Sequence, residues 1–290
     1  TASNNIAVGV DALRANTTGT SNVAVGTNAL AAQTTGGYNV AVGYGAGDAM
    51  TTAEYSVAVG RNALGAATTG GTNTAVGDSA LAADTTGHSN TALGYGSLIA
   101  NTTAVGNTAV GRDALLANTT GHSSVAVGWA SLDANTTGSS NTAVGTSSLG
   151  ATTTGDLNVA VGTNALQTNT VGDRSTAVGY GALTLQNPAS NVDMNNVAVG
   201  LNAGASVTTG TKSTLIGAEA GNSLTTGANC LFLGYQSGMS GSPGGAITTG
   251  SNDIALGDEN IDTANIQVDW TVASDKRDKT DVEPVKMGLE

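Results

Sequence analysis

The hexapeptide Ser-Asn-Val-Ala-Val-Gly at Ser21–Gly26 recurs along the chain, and its closing glycine keeps time. That glycine stands at Gly9, Gly26, Gly43, Gly60, Gly77, Gly94, Gly111, Gly128, Gly145, Gly162 and Gly179, always 17 residues apart. The series resumes at Gly200, Gly217, Gly234 and Gly257, after one interval of 21 residues and before a last one of 23. A unit this short cannot bury its own apolar face, so copies at a fixed period must stack, each on its neighbours. The chain therefore reads as all-β: a parallel β-solenoid of about fifteen 17-residue rungs.

Within a unit every position has its own rule. One and three residues before the glycine lie β-branched or apolar residues (Val23 and Val25, Val40 and Val42, Thr74 and Val76), with an alanine between them. This alternation is a strand signal, with one face for the rung interior and the other for a packed interface. Four residues before the glycine comes Asn (Asn5, Asn22, Asn39, Asn73, Asn90, Asn107, Asn141, Asn158, Asn196). Stacked at about 4.8 Å, these amides are placed to form a hydrogen-bonded ladder. An Ala-Leu anchor follows the glycine, then Thr-Thr-Gly, whose glycine is expected to turn with positive φ; Ala53 and Ala104 would suit that conformation poorly. Fifteen rungs would make a rod of roughly 70 Å.

Two rungs are lengthened, around Gln186 to Met194 and Ser240 to Ala246, and these insertions should leave as loops without breaking the stack. After Gly200 the anchor leucine becomes Gly204, Gly221 and Gly238, while the strand alanine becomes Leu215 and Phe232 in two rungs. That pattern is a transfer of volume inside one core. Gly47 departs from it, because its rung keeps Ala41. The repeat thus occupies residues 1–260, a transition segment 261–273, and a charged tail 274–290.

With 42 Gly, 3% aromatic residues and 10% charged residues, the interior must be narrow. Such a core gives little burial per residue, so self-association is expected. The net charge of −12, with basic residues scattered, disfavours nucleic acid. No apolar run approaches the roughly 20 residues of a membrane-spanning helix, and no membrane insertion is expected. Cys230 is alone, so no internal disulfide framework exists. The chain starts at Thr1 already in phase with its repeat and reads as a piece of something longer.

The rungs resemble the head repeats of trimeric autotransporter adhesins. They are more similar still to the Asn-x-x-x-Gly and Ala-Gly-x-x-x-Thr-Thr-Gly repeats of phage tail-fibre proteins, seen here at Ala220-Gly221 through Thr225-Thr226-Gly227. The resemblance implies a homotrimer of parallel β-rolls or a triple β-helix. The tail, Trp270 through Ser274-Asp275-Lys276-Arg277-Asp278-Lys279, is similar to the start of the self-cleaving intramolecular chaperone of phage tail spikes and fibres, with its Ser-Asp-x-Arg-x-Lys motif. Residues 274–290 would be the truncated beginning of that domain. The resemblance makes Ser274 the nucleophile on the Ala273 carbonyl, Lys279 the proton acceptor, and Asp275 and Arg277 supporting residues. A desolvated lysine can serve as such a base. The plain alternative is a solvated charged linker.

The residue after each strand glycine carries much of the surface variety: Tyr44, Tyr95, Trp129, Tyr180 and Tyr235, with Arg61, Asp78, Arg112 and Asp258. Equivalent positions form a line up the rod, and an aromatic stripe with charge beside it suits saccharides; a merely solvent-facing position or an inter-chain contact is the other reading. His88 and His122 lie two rungs apart, roughly 10 Å, too far to share a metal. Asp156 and Asp173 lack the glycine pattern of a calcium-binding β-roll, and no Gly-Lys-Thr/Ser closes a phosphate loop. No metal or cofactor is expected.

The expectation is a virion structural protein, a tail fibre giving reach and host attachment, matured by a single self-cleavage at Ala273-Ser274 and otherwise not an enzyme. Its partners would be two sister chains, other tail or baseplate proteins, and a host-surface glycan or protein receptor. A bacterial surface adhesin with the same rod is one alternative. An ice-binding solenoid is another, though adjacent threonines in extended chain face opposite ways. A depolymerase spike would need a carboxylate cluster, and the acidic residues here are dispersed.

Overall fold

The computed structural model describes residues 2–242 and 245–262. Ser274, Asp275, Arg277 and Lys279, most of the transition segment, and Pro243 of the second insertion lie outside the described residues. The chain divides into Thr1–Glu259, which holds the solenoid, and Asn260–Glu290.

Fifteen three-residue strands, from β1 (Ile6–Val8) to β15 (Ile254–Leu256), form one parallel sheet in strict sequence order. The register advances one unit per strand, so Val23 pairs Val40, Ala24 pairs Ala41 and Val25 pairs Val42. No helix occurs among the described residues. The chain is a parallel β-solenoid, as its period requires. The first insertion leaves the stack intact: β11 (Thr176–Val178) pairs in register with β12 (Val197–Val199). Its ends are drawn inward, with Gln186 and Met194 buried and Asn187, Ala189 and Ser190 exposed.

The strand alanines face inward. Ala24, Ala41, Ala75 and their equivalents are buried, together with the anchor Ala29 and Leu30, while the flanking Val23 and Val25 are half-exposed. Alanine is required there because the opposite wall is close and is already filled by leucine. The volume transfer after Gly200 is direct. A β-carbon on Gly221 would stand 2.7 Å from Leu215 Cδ2, and one on Gly238 would stand 2.7 Å from the Phe232 ring. Gly47 obeys the same rule from another direction, since Met50 Sδ would lie 2.7 Å from its β-carbon. Met50 is buried and takes the volume that leucine holds elsewhere.

Positive φ falls elsewhere than expected. The Thr-Thr-Gly glycine is not left-handed. It must be small because the next rung's carbonyl lies against it: a β-carbon on Gly138 would stand 2.5 Å from Gly155 O. Ala53 and Ala104 fit because their backbone needs no positive φ. The left-handed conformation appears instead two and four residues after the strand glycine and two after Thr-Thr-Gly, as at Asn28 (φ 61°), Leu30 (φ 51°) and Tyr38 (φ 61°). Asn tolerates this region, whereas a leucine there costs about 1–2 kcal/mol. The cost is accepted because the sharp turn directs Leu30 into the core, where it is wholly buried.

The strand glycine carries the strictest constraint. At Gly111 φ is +134°, and an added β-carbon would stand 2.5 Å from the carbonyl oxygen of Gly128, one rung on. Both conditions exclude every other residue type.

Hydrogen bonds join rungs on every side of the coil. Val23 N–H donates to Asn39 O, Leu30 N–H to Ala46 O, and Asn28 N–H back to Val10 O. The Asn ladder exists, but it is amide-to-backbone. Asn39 N–H donates to Asn22 Oδ1 at 3.0 Å, and Asn22 Nδ2 donates to Gly36 O at 3.0 Å. A second ladder, not anticipated from sequence, runs along Asp84, Asn101, Asn118 and Asn135, where side-chain amides bond each other directly.

Candidate functional surface

Each strand exposes two side chains outward. The third strand position is apolar in every rung, including Val25, Val42, Leu93, Val161, Ile216 and Leu256. Several of these are more than a third exposed, with Leu93 at 47% and Ile216 at 42%. The first position alternates between Val, Thr, Leu and Ile. Together they make a narrow apolar band up the sheet, unpaired in the single chain.

The residue after the strand glycine lies outside the core in the aromatic rungs, whereas Asp258 in the last rung is buried. Tyr44, Tyr95, Trp129, Tyr180 and Tyr235 are each exposed. They do not form one continuous stripe. Tyr95 and Trp129 are two rungs apart, about 10 Å, with Arg112 between them and its guanidinium 5.6 Å from the Tyr95 ring centroid. Tyr44, Tyr180 and Tyr235 each stand three rungs from the next aromatic of the column, about 14 Å. Between Tyr44 and Tyr95 the column is ionic: Arg61 grips Asp78 through two hydrogen bonds of 3.0 Å. The hydroxyl of Ser79, and then Arg61, hold the Asp78 carboxyl below the usual carboxylate range.

A second aromatic feature gave no signal in the repeat. Tyr38 and Tyr55, left-handed residues two positions after Thr-Thr-Gly and Thr-Thr-Ala respectively, stack with ring centroids 5.1 Å apart and planes inclined by 6°. Only the 17-residue offset between them would have revealed it, and neither belongs to the post-glycine column.

The histidines are placed as their spacing predicts. His88 and His122 are exposed turn residues, and His88 Nδ1 meets only the neighbouring Ser89 Oγ at 3.3 Å. No group of three or more His, Cys, Asp or Glu that could hold a metal exists among the described residues. Asp156 and Asp173 have a structural use instead: each accepts a main-chain N–H from the rung before, Ser139 N at 2.6 Å and Asp156 N at 2.7 Å. Burial pushes the Asp173 carboxyl upward, with Asp156 and Asp193 adding to the shift.

The first threonine of each pair is used by the fold. Thr34 Oγ1 donates to Thr51 O and Thr51 Oγ1 to Thr68 O, one rung to the next. One exposed threonine per rung remains, as at Thr35, Thr52 and Thr69. No helix among the described residues is long and apolar enough to cross a membrane. Cys230 is buried.

No protein-family model matches the chain, and no curated protein is similar enough to count as a relative.

Proposed function

We propose that this chain is a shaft segment of a homotrimeric fibre, a structural protein that gives reach and attaches to a host surface. One observation carries the reading: an outward apolar residue at the third position of every strand, in a solenoid whose interior is only alanine and leucine wide. A single thin stack buries little per residue and bears two or three left-handed non-glycine residues in most rungs. Covering the valine band against two sister chains supplies the missing burial, at about 25 cal/mol per Å². Symmetric self-association suits a surface that repeats every rung.

The similarity of the Ser274 to Lys279 segment to a self-cleaving chaperone favours a virion fibre over a bacterial surface adhesin. Under this reading Ser274 Oγ attacks the Ala273 carbonyl as Lys279 takes its proton, the Ala273–Ser274 amide breaks with its nitrogen leaving as the Ser274 amine, and water hydrolyses the resulting ester, with Asp275 and Arg277 supporting the pair. Further tail or baseplate proteins would complete the assembly.

Light scattering tests the fibre. The parent chain is expected at three times its own mass, and Val110→Lys with Val127→Lys, both on the outward band, is expected to reduce it to one. A parent that stays monomeric and melts cooperatively at dilution would end the trimer reading. For the processing step, intact mass of a chain extended through its chaperone should shift to a product ending at Ala273, and Ser274→Ala should abolish the shift.

A further inference from the structure

A shallow groove runs up the solenoid between the residues two and five positions after the strand glycine. It comprises two hollows, of 430 Å³ beside Asp133, Ser147, Gly150 and Gln167 and of 390 Å³ beside Asn164, Tyr180 and Asn202. Both reach the rung that carries Asn164 and Gln167, so together they cover six rungs, about 24 Å. Each hollow falls within the roughly 300–1,000 Å³ usual for ligand sites.

The groove has a local sequence cause. Gly150 and Gly181 leave its edges without a side chain, as Gly45, Gly65 and Gly96 do on earlier rungs. Gly181 is left-handed (φ +65°), and the Asn202 amide folds over it from the next rung. At the same level Tyr180 stands at one edge and Leu185 at the other, both about half exposed.

The wall chemistry narrows the occupant. Among the described residues the side-chain amides of Asn164, Gln167 and Asn202 make no hydrogen bond, while they sit half-buried in the groove. They are therefore available to a ligand rich in hydroxyls. Much of the main chain is committed: Ala151 N donates to Gln167 O, Leu185 N to Ala205 O, and Asn202 N to Tyr180 O. A peptide adding itself as a strand would find no continuous free edge here. No Lys or Arg lines either hollow, and the single charge, Asp133, is negative. Phosphate, sulfate and sialic-acid groups are thereby disfavoured.

We propose that this groove binds a neutral oligosaccharide lying along the solenoid axis, with a pyranose face on Tyr180 and its hydroxyls on Asn164, Gln167 and Asn202. An extended glycan advances by a distance comparable to the rung spacing, so successive sugars meet successive rungs. An aromatic face with amides beside it supplies both the apolar and the polar half of that recognition. The assignment rests on the attachment part of the fibre reading, but the groove belongs to one chain.

The test is saturation-transfer NMR of the full chain with maltohexaose, cellohexaose and chitohexaose, and with polysialic acid as the anionic comparison. At least one neutral hexasaccharide is expected to bind. Tyr180→Ala should weaken it at least tenfold, Tyr180→Phe should retain it, and Tyr44→Ala, in the same column but away from the groove, should leave it unchanged. Melting curves verify that each variant folds. Absence of binding by all three neutral glycans up to millimolar concentration overturns the proposal, as does binding indifferent to Tyr180→Ala or stronger for polysialic acid. Light scattering on the same samples separates the two readings. A trimer that ignores neutral glycans loses the groove and keeps the fibre, and a monomer that binds them does the reverse.

Discussion

The side-chain amide of Asn135 donates to Oδ1 of Asn118 at 2.8 Å, and Asn118 in turn donates to Asn101 at 3.2 Å. This inner ladder stops at the next rung, where Thr152 has no amide to offer. Asn135 Oδ1 is left buried without a partner, while Thr152 Oγ1 turns away to Asn169 O at 2.7 Å. Thr152→Asn should therefore extend the ladder, satisfy that oxygen and raise stability by about 1 kcal/mol. Thermal or denaturant unfolding measures it. Thr152→Val, which restores nothing and removes a hydroxyl bond, should move the midpoint the other way.

At its other end the ladder reaches a carboxylate. Asp84 Oδ1 accepts from Asn101 Nδ2 at 2.8 Å and from Gly87 N at 3.1 Å, with Ala67 as its counterpart on the rung before. Burial raises its pKa to about 6, and the Asn101 and Gly87 bonds only partly oppose the shift. The folded chain thus holds this proton at a pH where the unfolded chain has released it. This group's contribution to stability should be full below about pH 4, fall as pH rises toward 6, and level off above, a loss of about 2–3 kcal/mol. Asp84→Asn should stabilise the protein at pH 7 and flatten that part of the profile. A variant with the parent's pH dependence would show that Asp84 is not its source.

Gly111→Ala should be among the most damaging single changes possible. It adds a β-carbon 2.5 Å from Gly128 O at a φ of +134°. Relief requires moving one rung away from the next, and that breaks ladders on every side. A loss above about 3 kcal/mol is expected, seen as a collapse in soluble yield or a much lower melting temperature. Gly150→Ala, where the nearest atom would be 3.2 Å away and φ is not positive, should be mild.

Phe232 and Gly238 form a compensating pair. Phe232 is wholly buried, and its ring occupies the space a side chain on Gly238 would need. Phe232→Ala should cost about 3–5 kcal/mol. Adding Gly238→Leu, which restores the alanine-leucine arrangement of the earlier rungs, should recover part of it, whereas Gly238→Leu alone should be destabilising through overpacking. A double-mutant cycle gives the coupling directly, and additive effects would mean the two sites do not share volume.

The solenoid, its period, its parallel register and the exchange of volume between Leu215 or Phe232 and the glycines were legible in the residues. A rule repeated every 17 positions leaves one way to stack. The direction of the alanine face was not, because alternation fixes that two faces differ and not which one is enclosed. Positive φ was misplaced at Thr-Thr-Gly for a related reason: a glycine kept for a neighbour's carbonyl looks, in sequence, the same as one kept for its turn. Leu30 in a left-handed conformation is opposed by its own intrinsic preference, and only burial among the neighbouring rungs makes it stable. The Asn ladder was visible as a column, but its bonds run to main-chain groups 14 and 17 residues away. The aromatic column was equally visible, yet its division into a Tyr95–Arg112–Trp129 group and isolated tyrosines depends on spacing through space. By itself the sequence determined which residues recur at equivalent levels, since that is arithmetic on the chain. Tertiary structure alone decided which of them face inward, which meet across rungs and where a groove opens, because those outcomes depend on the shape of the coil between repeats.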